Sequence, residues 1–192
     1  MADFAEHPEL LDVPFSLANR LESQDKYEQA ESIYQRIALS YPDKPRTQIE
    51  ELKRQIVSLI RDGNDIEAEA AIEKLIADFN DHPGLAGFVL RSGHGYRRRA
   101  NELRKEGLTA EATVNNLKAA ALYDRVIGEF GSSAFAASAY FFSGLCYRDI
   151  GLWQDCLDCC ERLLEGWPEY KYASWAKRLA QDCSEKLAAQ SQ

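Results

Sequence analysis

Residues 137–168 read ASAYFFSGLCYRDIGLWQDCLDCCERLLEGWP: two amphipathic helical patterns joined by Gly-Leu-Trp and stopped by a proline. No other stretch limits the fold as tightly. Counting Ala137 as position 1, Gly144 stands at 8, Tyr147 at 11, Trp153 at 17, Cys156 at 20, Cys160 at 24, Leu163 at 27 and Pro168 at 32. A small residue at 8 lets the first helix approach the second closely, a small one at 20 does so from the other side, and the proline cannot continue the helix. The same offsets recur near the start of the chain. With Pro42 at 32, Ala18 falls at 8, Leu21 at 11, Tyr27 at 17, Ala30 at 20, Tyr34 at 24 and Ile37 at 27. Agreement at so many offsets predicts an array of helical hairpins.

Between these two stretches the pattern is weaker but continuous. Pro45 suits a first helical turn, and Ile49, Leu52, Ile56, Leu59 and Ile60 share one face. Asp62-Gly63-Asn64-Asp65 reads as a stop and restart, after which Ala68, Ile72, Leu75, Ile76 and Phe79 point inward. A third hairpin is longer. FVLRSGHGY matches AYFFSGLCY, so Gly93 takes position 8 and Tyr96 position 11; Tyr96 to Val126 spans 30 residues, where Tyr147 to Leu163 spans 16. Both halves of the insertion keep helical periodicity, so each helix of this hairpin is expected to be about two turns longer. After Pro168 a last helix, with Tyr172, Trp175, Ala176, Leu179, Ala180 and Cys183 inward, caps the array. The expected organisation is a flexible leader over 1–12, one domain over 13–189 with the elongated hairpin at about 84–131, and a tail over 190–192.

The fold class is therefore all-α. With 192 residues, 45% of them hydrophobic, the chain can bury a sizeable core. A net charge of −8 and a pI near 5.0 disfavour nucleic acid or an anionic bilayer as partner. No apolar run is long enough to insert in a membrane. The start, MADFAEHPEL, lacks the layout of a secretory signal. Five cysteines, mostly within helical patterns, favour reduced thiols and a cytoplasmic setting, with the periplasm as the alternative where an export signal has been removed.

The position-8, -11, -20 and -32 pattern resembles the tetratricopeptide repeat, a helix–turn–helix unit of 34 residues. The resemblance covers roughly 13–185 as four hairpins and a cap, with cysteine at 20 and 24 in the fourth hairpin where alanine and an aromatic are usual. The wording VIGEFGSSAFAASAYFFSGLCYRDIGLW is similar to bacterial repeat proteins of outer-membrane assembly and cell-division coordination. What the resemblance implies is a right-handed α-solenoid whose concave wall is lined by the first helix of each hairpin. On that wall it places Phe15, Asn19 and Glu22, then Leu90, His94, Arg97 and Arg98, then Phe141, Leu145, Arg148 and Asp149. Family members that clamp a peptide carboxylate use lysine and asparagine there; only Asn19 matches, and Phe15 replaces the lysine.

Catalytic signatures are missing. There is no phosphate loop, no GxSxG and no HExxH, and His7, His82 and His94 are scattered. A Cys146–His94 dyad needs neighbouring helices to present both side chains into one cleft. Cys156, Cys159 and Cys160 share a helix face and are zinc-ligand types, but no second CxxC or nearby histidine completes a tetrahedral set. Small core residues suit those slots better. No cofactor is expected. The reading is a non-enzymatic protein-interaction module. A basic centre (Arg91, Arg97, Arg98, Arg99, Arg104) beside Tyr96, Tyr140 and Phe141 suits an acidic or aromatic peptide. Candidate contacts are Asn19, Arg91, His94, Arg97, Arg98, Tyr140, Phe141 and Arg148. The alternative is a structural or oligomeric scaffold in which the elongated hairpin packs against a copy of itself or a partner in envelope assembly.

Overall fold

From Pro45 onward helix follows helix, and each joint is built from the same backbone hydrogen bonds. The computed structural model describes residues 16–18, 20, 21, 29, 32, 33, 36, 45–82 and 84–190, and among these no strand occurs. Seven helices have full bounds: α1 Pro45–Asp62, α2 Asp65–Asp78, α3 Leu85–Lys105, α4 Thr109–Glu129, α5 Ala136–Asp149, α6 Trp153–Gly166 and α7 Ala173–Gln190. The fold is all-α. Asn19, Phe15, Tyr27, Ala30, Tyr34, Ile37, Pro42 and the expected leader over 1–12 lie outside the described residues, while Ala18 is fully buried. The chain divides into two compact units, Met1–Gln55 and Ile56–Gln192. In the first, Lys53 and Arg54 pair with Glu50 and Glu51 along α1.

In the second unit, Gly63, Gly107 and Gly151 end α1, α3 and α5, each with φ near +80° (82°, 82° and 80°). Only glycine adopts that conformation without a Cβ penalty. Each glycine N–H bonds to the carbonyl three residues back (Ile60, Arg104, Arg148). The next N–H reaches five back (Leu59, Leu103, Tyr147), at 2.9 Å in all three. This double bond pattern satisfies carbonyls that a helix end otherwise leaves open. The opposite joints also repeat. Phe79, Phe130 and Trp167 cap α2, α4 and α6 by donating to Leu75, Val126 and Leu163. His82, Ser133 and Tyr170 then donate back to those aromatic residues' carbonyls. Gly131 follows one such joint and Pro168 another, so proline is not what makes the turn.

Helices α3 and α4 each hold 21 residues, against 14 in α5 and 14 in α6. The surplus is about two turns per helix. Successive helices from α2 to α7 pack on one another, and polar ties lock the hairpins together. Asp124 of α4 accepts from Ser143 Oγ at 2.7 Å and from Tyr147 Oη at 2.5 Å on α5. Lys118 and Arg125 of α4 pair with Asp65, Glu69 and Glu73 of α2. The last core gathers Phe141, Leu145, Cys156, Cys160, Leu163, Ala176, Leu179 and Cys183, with Phe141 stacked on Tyr172 at 4.8 Å. Trp175, expected inward, is 60% exposed. The buried stripe of α7 runs through Ala176, Leu179 and Cys183, and Trp175 lies off its edge.

The two position-8 glycines are not equivalent. A Cβ on Gly93 meets the Tyr123 ring at 2.6 Å, whereas one on Gly144 finds its nearest neighbour, Cys159 Cβ, at 3.4 Å. The first is a steric requirement and the second leaves room for a methyl group. Gly93→Ala is expected to lose about 1–3 kcal/mol through overpacking. Gly144→Ala is expected to gain about 0.5–1 kcal/mol, because alanine is favoured over glycine inside a helix. Urea unfolding midpoints of the two variants check the opposite signs.

Candidate functional site

Because Gly93 has no side chain, Tyr123 of α4 lies flat against α3 and is fully buried. Its Oη shares a 2.7 Å hydrogen bond with His94 Nδ1. The His94 ring meets Phe142 of α5 edge-on, with centroids 4.5 Å apart. Two neighbouring hairpins thus fix one imidazole between two aromatic rings. Burial is the main cause pushing the His94 pKa down to about 4, and the nearby Arg97, Arg91 and Arg98 charges push the same way. The imidazole is neutral at physiological pH.

His94, Arg97, Arg98 and Asn101 line one side of a cleft of about 230 Å³, and Phe142 lines the other. The four α3 residues follow helical spacing and so share a face. Arg97 holds its guanidinium carbon 5.7 Å from the Phe142 ring centre, a cation–π contact. Its Nε is buried and has no hydrogen-bond partner among the described residues. Asn101 accepts from Arg104 at 3.1 Å, and Arg104 lies 3.6 Å from Asp149. The site is therefore cationic and aromatic, with one amide. Such a lining is chemically complementary to carboxylates and aromatic rings.

The structure brings together only part of the set expected from sequence. His94, Arg97 and Arg98 meet in the cleft. Arg91 is exposed on α3, close enough to act on His94 electrostatically. Arg148 is bound to its neighbour Asp149 at 2.6 Å. Tyr140 is half-buried with its ring 5.8 Å from Trp167, toward the last core. Phe141 is only 4% exposed and sits in that core, so it has no surface to offer. Tyr96 is likewise core, at 1% exposed. Arg99 leaves the basic centre altogether: it donates to the Ile60 carbonyl and to Asp65, both at 3.1 Å, and so caps the end of α1. Asn19 lies outside the described residues.

Phe142 and Asn101 join the cleft without being among the contacts expected from sequence. The run Tyr140-Phe141-Phe142 carries aromatics at three successive helical angles, and periodicity alone does not say which one faces the cleft. Asn101 is legible in the sequence, lying two helical turns beyond His94 on the same face.

The cysteines fill space. Cys146, Cys156, Cys159, Cys160 and Cys183 are all buried and unbridged. Burial pushes the Cys146, Cys159 and Cys183 thiols up to about 12. For Cys146 that is the reverse of what an activated nucleophile beside His94 needs. No cluster of metal-ligating side chains occurs among the described residues, and no helix there is long and apolar enough to cross a membrane. No known family model matches the sequence, and no curated protein is significantly similar to it.

The buried imidazole makes a pH prediction. The folded state takes up the His94 proton only near pH 4, while the unfolded chain does so near 6.5. Between those values the unfolded state holds more protons, so stability falls as pH falls, by at most about 1.4 kcal/mol per pH unit from this group. Unfolding midpoints at pH 7, 6 and 5 should drop less steeply in His94→Gln than in the parent.

Proposed function

We propose that this chain is a tetratricopeptide-like α-solenoid that works as a protein-interaction module, taking an acidic, aromatic-containing peptide segment in the cleft between α3 and α5. The recurrence of the same two joints in three successive hairpins supports the solenoid reading. One observation carries the binding reading: first helices of adjacent hairpins converge on a single cleft lined by His94, Arg97, Arg98, Asn101 and Phe142. A repeat array presents such first-helix clefts in series along its inner wall. A carboxylate entering the cleft meets two arginines, and charge-assisted hydrogen bonds are worth about 1.5–3 kcal/mol each. An aromatic residue beside it finds Phe142 and the edge of His94. Specificity would come from that pairing of a negative charge with an adjacent ring.

The test uses two fluorescein-labelled peptides, one built from Glu and Phe and one with Lys in place of Glu. Fluorescence anisotropy should show binding of the first alone, weakening from 50 to 500 mM salt. Arg97→Glu with Arg98→Glu should weaken it tenfold or more, with sedimentation velocity showing an unchanged size. Equal affinity of parent and variant would place recognition elsewhere.

A further inference from the structure

One stripe along the outward face of α4 carries no charge for three turns. Ala110, Val114, Leu117 and Ala121 fall at helical spacing and are all exposed, Val114 by 48% and Leu117 by 45%. The other hairpins provide an internal control. Counted from the turn glycines at 63, 107 and 151, the same four positions are Ile66, Ala70, Glu73 and Ala77 in α2, and Gln154, Asp158, Glu161 and Glu165 in α6. All of these are exposed as well. This surface faces solvent in each hairpin; α6 fills it with polar and acidic residues, and α4 does not. Lys118 holds Asp65 and Glu69 at 3.0 and 2.7 Å, which brings the first turn of α2 alongside Leu117. Ile66, next to Asp65 in that turn, is 83% exposed. Val114 and Leu117 are two of the eight large hydrophobic residues exposed among the described residues, and helical spacing sets them side by side. Scattered apolar residues are ordinary, but a contiguous set is a contact surface.

We infer that this face of the elongated hairpin docks an amphipathic helix of a partner protein, one whose apolar ridge is flanked by lysine or arginine. The rim decides the occupant. Asp65, Glu69, Glu73 and Glu129 share the cations Lys118, Arg125 and Arg99, and Glu67 and Glu111 are exposed on the same two helices, so carboxylates outnumber the cations that pair with them. A second copy would bring the same acidic rim against this one, on a chain of net charge −8. An anionic bilayer is repelled for the same reason. A helix with basic flanks complements both the ridge and the rim. The stripe is about 16 Å long at 1.5 Å per residue, enough for about three turns of the partner.

The probe is a synthetic helical peptide with Leu at heptad positions a and d and Lys at the flanking positions, beside a twin with Glu for Lys. Anisotropy with the full chain should show binding of the Lys peptide and not of its twin. Val114→Glu with Leu117→Glu changes only exposed positions, and helicity is checked by circular dichroism. These substitutions add negative charge, so contact by charge alone would tighten in the variant. Docking on the ridge instead requires a loss of tenfold or more, with amide shifts in the parent confined to residues 66–73 and 108–121. Unchanged or tighter binding by the variant overturns the inference. So does sedimentation showing that the full chain self-associates and that Leu117→Glu abolishes it, since the occupant would then be a second copy.

Discussion

The contact between Gly93 and the Tyr123 ring holds more of this molecule in place than any ion pair. It sets how closely α3 and α4 approach, and it leaves no room for even a methyl group. The buried ring then delivers its hydroxyl to His94, which stands against Phe142 of the next hairpin. One missing side chain therefore fixes the spacing within a hairpin, the orientation of an imidazole and the floor of a cleft. The surrounding ion pairs are partly exposed and each is worth about a kcal/mol or less.

Polar ties between hairpins have a different role. Asp124 gathers Ser143 and Tyr147, and Arg99 caps α1 while reaching Asp65. Apolar helix faces slide on one another at little cost, whereas directional bonds penalise a slip of one residue. These bonds set the register between successive hairpins, and the cleft depends on that register, since His94 and Phe142 must arrive at the same level from separate helices.

The elongated hairpin separates two surfaces of opposite character. The α3 side is cationic and aromatic around His94, Arg97 and Arg98. The outward side of α4 is apolar within an acidic rim. A net charge of −8 describes neither, because charge acts over roughly a Debye length and each surface is set by its nearest groups.

Helical periodicity, the turn glycines and the surplus length of the third hairpin are properties of neighbouring residues, so the sequence alone determined the all-α class and the lengths of α3 and α4. It also brought out His94, Arg97 and Arg98, which one helical face carries together. Tertiary packing decided the rest. Phe141 and Phe142 are adjacent in sequence, and only the position of α6 and α7 sends the first into the core and the second to the cleft. Arg99 reads like its neighbours Arg97 and Arg98, yet the Ile60 carbonyl at the end of α1 and the Asp65 carboxylate draw it away. Trp175 looks like core by its periodicity, yet it lies off the stripe by which α7 packs on α6. In each case the deciding partner lies far along the chain, where periodicity carries no information.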